Sequence, residues 1–98
     1  MIDFYTWTTP NGRKVSIMLE ELGLDYTVYP IHIGKGEQHE REFLEISPNN
    51  KIPAIIDHNN GVKMFESGAI MMYLSEKTGQ LYPKDDEARW ATQEWLMW

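Results

Sequence analysis

Apolar positions along the chain recur with two different periods, and the switches between them lay out a fold. Ile2 to Thr6 is short, apolar and aromatic, and it runs into Thr8-Thr9-Pro10-Asn11-Gly12. That reads as a buried strand followed by a turn. Val15, Met18, Leu19 and Leu22 then fall at i, i+3, i+4 and i+7, the spacing of one helix face. Pro10 suits the first turn of that helix, where an N–H would go unpaired in any case, and Gly23 suits its end. Tyr26 to Ile33 is β-branched and aromatic and reads as a second strand. Strand, helix and strand in about thirty residues make a βαβ unit, whose crossover sets the two strands parallel and right-handed.

The second half of the pattern is different. Gly34-Lys35-Gly36 predicts a loop, and Glu40 to Ile46, with Phe43, Leu44 and Ile46 as its apolar positions, a short, partly exposed helix that Ser47-Pro48-Asn49-Asn50 stops. Ala54 to Asp57 and Val62 to Phe65 flank Asn59-Asn60-Gly61, a hairpin signal because such a turn needs positive φ. A third helix is expected from about Ser67 to Lys77, with Ile70, Tyr73, Leu74 and Lys77 on one face and Gly79 closing it. The expected fold class is therefore α/β: a βαβ-α-ββα order with a four-stranded mixed sheet and helices around it.

Leu81-Tyr82-Pro83-Lys84 reads as a linker, and Asp85-Asp86-Glu87 as an acidic helix start, favoured by the helix dipole. Trp90, Trp95, Leu96, Met97 and Trp98 follow, and the sequence stops inside this apolar pattern without a cap. Nothing else in the pattern would bury three tryptophans in the last nine residues. A truncated product or a fragment is expected; the alternative is a helix that folds back or pairs with another chain.

Composition narrows the function. The 98 residues suffice for one domain with one core, and 42% hydrophobic with 24% charged residues is ordinary for a folded soluble protein. A net charge of −6 without a basic run gives no electrostatic footprint for nucleic acid or an anionic membrane. There is no cysteine, which removes disulfides, thiolate metal sites and cysteine nucleophiles together. With no signal-peptide pattern at Met1-Ile2-Asp3-Phe4-Tyr5 and no apolar run of spanning length, a cytoplasmic protein is expected.

Three places can carry chemistry. In Lys51-Ile52-Pro53-Ala54, a cis Ile52–Pro53 bond would turn the backbone of Ile52 outward as an edge for an extended peptide; an ordinary trans proline at a strand start is the alternative. In Phe65-Glu66-Ser67-Gly68-Ala69-Ile70, Ser67 and the free N–H groups of a helix start can bind a carboxylate while Glu66 receives an ammonium group. A plain capping serine accounts for the same residues. Thr9-Pro10-Asn11 joins the first strand to the first helix, where a hydroxyl, an amide and helix N–H groups would stabilise a thiolate; capping alone is again the alternative. His32, His39 and His58 lack metal-ligand spacing, no metal is expected, and Met71-Met72 and Met97-Trp98 read as core or interface.

Taken in order, Thr9-Pro10-Asn11-Gly12, Asn50-Lys51-Ile52-Pro53-Ala54-Ile55 and Phe65-Glu66-Ser67-Gly68-Ala69-Ile70 resemble the three blocks of the amino-terminal, thioredoxin-like domain of glutathione transferases. The resemblance covers about residues 1–82, and residues 83–98 resemble the linker and first helix of the family's all-helical second domain. The Thr-Pro-Asn block is similar to that of the bacterial nu-class proteins, relatives of the fungal nitrogen-regulatory prion proteins, and departs from the tyrosine, serine or cysteine of most classes. The resemblance implies glutathione as cosubstrate and glutathione-dependent disulfide reduction, with two glutathiones or their disulfide in one site. It implies that Thr9 and Asn11 sit next to the sulfur atoms and that Ile52, through its backbone with Pro53 cis, pairs with the cysteinyl unit. Glu66 and Ser67 would hold the γ-glutamyl end, and Gln38 and Lys51 the glycyl carboxylate. Tyr5 lies inside the first strand and is not expected to activate a thiol. The family's helical domain completes the pocket, often across a homodimer, so the 98-residue chain is expected to be inactive by itself. A conventional transferase or peroxidase acting on electrophiles, and a non-catalytic regulatory module of the same fold, are the alternatives.

Overall fold

The computed structural model describes residues 1–98. Its sheet has four strands in the order β2-β1-β3-β4: β1 (Ile2–Thr6), β2 (Tyr26–Pro30), β3 (Ala54–Asp57) and β4 (Val62–Phe65). β1 runs parallel to β2 and antiparallel to β3, and β3 is antiparallel to β4. The helices are α1 (Pro10–Glu21), α2 (Arg41–Leu44), α3 (Ser67–Thr78) and α4 (Asp86–Met97). This is the expected α/β, βαβ-α-ββα arrangement.

The period-2 alternation of the strands divides two cores. Ile2, Phe4 and Ile55 meet Val15, Met18, Leu19, Ile70 and Leu74, so α1 and α3 cover one face. Each such side chain removed from water contributes about 1.5–3 kcal/mol, and this cluster is the main source of stability. On the other face Phe43 and Ile46 pack with Ala54, alongside Tyr5, Ile31, Ile52 and Ile56.

The ends of α1 follow the expected signals. Pro10 is its first residue. Past its end, Gly23 takes φ 66° while its N–H reaches Glu20 O (3.1 Å) and that of Leu24 reaches Leu19 O (3.1 Å). That paired closure needs a left-handed residue, which glycine adopts without a Cβ clash.

Two expectations need correction. β2 stops at Pro30 rather than Ile33. The Ile31 N–H makes the last bond to the neighbouring strand, to Thr6 O at 2.9 Å, and there β1 itself ends. With no partner left, the chain closes into two 3-10 turns, Ile33–Lys35 and Glu37–His39, in place of the plain loop expected at Gly34–Gly36.

A buried ion pair ties β3 to α3. Asp57 is fully buried and its Oδ2 accepts from Lys77 Nζ and Tyr73 OH, each at 2.5 Å, while Oδ1 accepts from the Asn59 N–H at 3.0 Å. Burial pushes the Asp57 carboxyl up, but the bonds from Lys77, Tyr73 and Asn59 outweigh it and bring its pKa down to about 2.

Asp85 caps α4 by accepting from the Ala88 N–H at 3.1 Å. Leu96 turns towards Gly68, and a cavity of about 280 Å³, lined in part by Ile17, Met71, Met72, Leu81 and Leu96, lies between α1, α3 and α4. Trp90, Trp95, Met97 and Trp98 face outward, the last of them 93% exposed.

Candidate functional site

Strand direction gathers the three sequence blocks at one end of the sheet. β1 finishes at Thr6 and leads into Thr9 and Asn11; β3 starts just after Ile52 and Pro53; β4 finishes at Phe65 and leads into Glu66 and Ser67. The register fixes this arrangement, since Tyr5 pairs with Ala54 and Ala54 with Phe65. The amino termini of α1 and α3 therefore open at the same end. Each presents N–H groups without intrahelical partners and the positive end of its dipole.

At α1 the capping reading holds: Thr9 is extended (φ −125°, ψ 159°) and its hydroxyl oxygen accepts from the Gly12 N–H at 3.1 Å. Its hydroxyl hydrogen stays free to donate. Pro10 has no N–H, and the Arg13 N–H goes to Thr9 O at 3.0 Å. Asn11, exposed, is left with both an unpaired backbone N–H and its side-chain amide.

At α3 the capping reading does not hold. Ser67 is the first helical residue, and the cap position falls on Glu66, which makes no side-chain capping bond. Glu66 sits at φ 74°, ψ 116°. A non-glycine residue there costs on the order of 1–3 kcal/mol, a strain concentrated at functional positions. Beside Ser67 lies a cavity of about 380 Å³, lined also by Lys14, Gly68, Trp95 and Trp98.

Between these helix ends the Ile52–Pro53 peptide is cis. Neither the N–H nor the C=O of Ile52 is bonded within the chain. The preceding loop is held by Ser47, fully buried, whose hydroxyl donates to Lys51 O at 2.8 Å and accepts from the Lys51 N–H at 3.4 Å. Asn50 takes φ 60° in that loop, a conformation asparagine tolerates. Lys51 is exposed. Gln38 lies further out, in the second 3-10 turn beyond β2, with its Oε1 buried and unpaired. None of the eight residues from Thr9 to Ser67 singled out above is hydrogen-bonded to another of them; strand direction places Thr9, Asn11, Ile52, Pro53, Glu66 and Ser67 at one end of the sheet, and of the eight only Ser67 lines the cavity beside it.

Tyr5 stacks on Tyr29 with ring centroids 5.0 Å apart. Burial, then the charges of Asp3, Tyr29 and Glu42, push its hydroxyl pKa up. That is the wrong direction for a proton donor to a thiolate. Sequence reasoning overlooked Ser47, read there only as part of a helix stop, and Lys14, which carried no signal beyond an exposed position on α1.

The family model described as the glutathione S-transferase amino-terminal domain matches residues 2–76. The chain belongs to this family. Among relatives, it is 50% identical to the disulfide-bond oxidoreductase YfcG of Escherichia coli, an alignment covering 100% of this chain and 48% of that protein. It is 46% identical to the disulfide-bond oxidoreductase YghU of the same organism, over 99% of this chain and 36% of that one. A glutathione transferase from Pseudomonas putida, solved with one glutathione disulfide per subunit, superposes with a TM-score of 0.93 at 49% identity, over 98% of this chain and 44% of that one. The chain thus spans less than half the length of these relatives.

Proposed function

We propose that this chain is the glutathione-binding half of a glutathione-dependent disulfide reductase. Residues 1–82 would form the binding domain and residues 83–98 the linker and first helix of an all-helical domain. One observation carries the reading: in a chain without cysteine, two helix amino termini and the unpaired backbone of Ile52 converge on one end of the sheet. Unpaired N–H groups and a helix dipole favour anions, here a carboxylate at α3 and a thiolate at α1.

In this reading Ser67 and the α3 N–H groups hold the γ-glutamyl carboxylate, and Glu66 holds its ammonium group. The Ile52 backbone pairs with the cysteinyl unit, and Gln38 and Lys51 take the glycyl carboxylate. The Thr9 hydroxyl and Asn11 donate to sulfur. The glutathione thiolate attacks one sulfur of a substrate disulfide; the S–S bond breaks, and the departing thiolate takes a proton from solvent. A second glutathione thiolate then attacks the glutathione sulfur of the mixed disulfide. Glutathione disulfide forms and the second substrate thiol leaves. The protein supplies orientation and a lowered thiol pKa. A cytoplasmic homodimer is the assembly proposed, with the helical domain completing the pocket; the disulfide-bond oxidoreductases among the relatives support the choice over a conventional transferase.

Calorimetry with glutathione disulfide tests this, on the chain itself and on a version extended through a helical domain. Binding by the extended form is expected, weakened about ten-fold or more by Ser67→Ala, since a hydrogen bond to a charged group is lost. No binding by either form would refute the proposal. Turnover of an aryl halide without turnover of a small disulfide would replace it with conventional transferase chemistry.

A further inference from the structure

We infer that Trp7 and His32 form a strut that sets the distance between the two loops a bound glutathione must bridge; the inference rests on the function proposed above. The rings are in tilted contact, with centroids 4.3 Å apart and planes 36° apart. Each belongs to a residue that organises its own loop.

Trp7 directly follows β1. Its carbonyl accepts from the Thr9 N–H at 2.8 Å and from the Thr6 hydroxyl at 3.3 Å. The start of α1 is pressed against the same carbonyl, since a Cβ at Gly12 would stand 2.7 Å from it. The position of Trp7 therefore sets that of Thr9 and Asn11.

His32 follows β2 by two residues. Its carbonyl accepts from the Lys35 and Glu37 N–H groups at 3.0 and 3.3 Å, and its own N–H donates to Glu37 Oε1 at 2.7 Å. The two 3-10 turns, and Gln38 within the second, are thus built around His32. The sheet links the loops only up to Ile31 N–H and Thr6 O, so beyond the sheet the ring contact takes over. His32 Nδ1 and Gln38 Oε1 are both buried in this short segment without a hydrogen-bond partner from the protein.

Trp7 and His32 are on this account positioning residues. The contact presets the spacing between the sulfur corner at Thr9 and Asn11 and the carboxylate end at Gln38, so binding does not have to order the two loops.

The test is a double-mutant cycle on glutathione disulfide affinity, read by calorimetry in whichever form of the protein binds it. Trp7→Leu and His32→Leu should each weaken binding about three- to ten-fold, and the double variant no more than either alone. Trp7→Phe and His32→Phe, which keep a ring on each side, should hold affinity within about two-fold. These two variants also decide the matter should a leucine variant fail to fold. Losses that multiply in the double variant, or His32→Phe as weak as His32→Leu, would overturn the strut and leave the proposed function standing. Absence of binding by the unaltered protein would overturn both.

Discussion

Replacing Lys77 by methionine tests the electrostatics of the core most directly. Asp57 is fully buried and its carboxyl titrates at about 2 against an ordinary 3.8. At about 1.36 kcal/mol per pKa unit, that gap corresponds to roughly 2 kcal/mol of stability. The pKa is lowered on folding, so this contribution is complete above pH ~4 and is lost as pH falls from about 4 to about 2. Methionine keeps the alkyl stem of Lys77 but leaves a buried carboxylate facing only Tyr73 and the Asn59 N–H. Breaking a buried pair in this way costs about 3–5 kcal/mol at neutral pH. Asp57→Asn removes the charge instead; Lys77, with 23% of its side chain exposed, can then reach solvent, so the loss should be smaller, about 1–3 kcal/mol. Urea unfolding followed by circular dichroism at intervals from pH 2 to pH 7 reads all three proteins. Lys77→Met should be the least stable at pH 7, and Asp57→Asn should lack the roughly 2 kcal/mol decline between pH 4 and pH 2. Parallel pH profiles for Asp57→Asn and the unaltered chain, or a Lys77→Met loss below about 0.5 kcal/mol, would refute the argument.

Other substitutions probe the site's framework. Thr9→Ala removes the α1 cap and should cost about 1 kcal/mol in urea unfolding, while Thr9→Ser restores it. Gly12→Ala sets a Cβ 2.7 Å from the Trp7 carbonyl and against the Thr6 hydroxyl, and a loss of about 1–3 kcal/mol should appear as a lower urea midpoint. Glu66→Gln keeps the shape and the backbone strain but removes the charge offered to an ammonium group. Glutathione disulfide affinity should fall about five- to ten-fold, with the unfolding free energy changed by less than about 0.5 kcal/mol.

Local signals carried most of the fold. The 3.6-residue spacing from Val15 to Leu22 and the glycine after it specify α1 because both act within one helix. Asn60-Gly61 marked the hairpin because Gly61 does take φ 77° there. The same locality explains the misses. Ile31 to Ile33 has the composition of a strand, but β2 ends when β1 runs out of partners, which depends on a register more than twenty residues away. Asp57 read as the last residue of a strand, and its partners lie 16 and 20 residues further on. The site was legible as blocks rather than as atoms. Thr9 behaves as the capping alternative required, while Ser67 does not, because the chain enters α3 through a left-handed Glu66 whose residue type gives no warning of that conformation. The Trp7–His32 contact joins two loops without a motif in either, and only the parallel pairing of β1 and β2 brings them together.

The outward tryptophans in α4 and just past its end also give the protein an optical property. Trp95 and Trp98 meet edge to face at 5.7 Å and line the cavity that Ser67 opens onto. At 72% and 93% exposure these two indoles are expected to emit as indoles in water do, and any molecule seated against Ser67 would displace some of that water. The chain therefore carries an intrinsic fluorophore at the mouth of its candidate pocket, and occupancy can be followed as a blue shift or quench without a label.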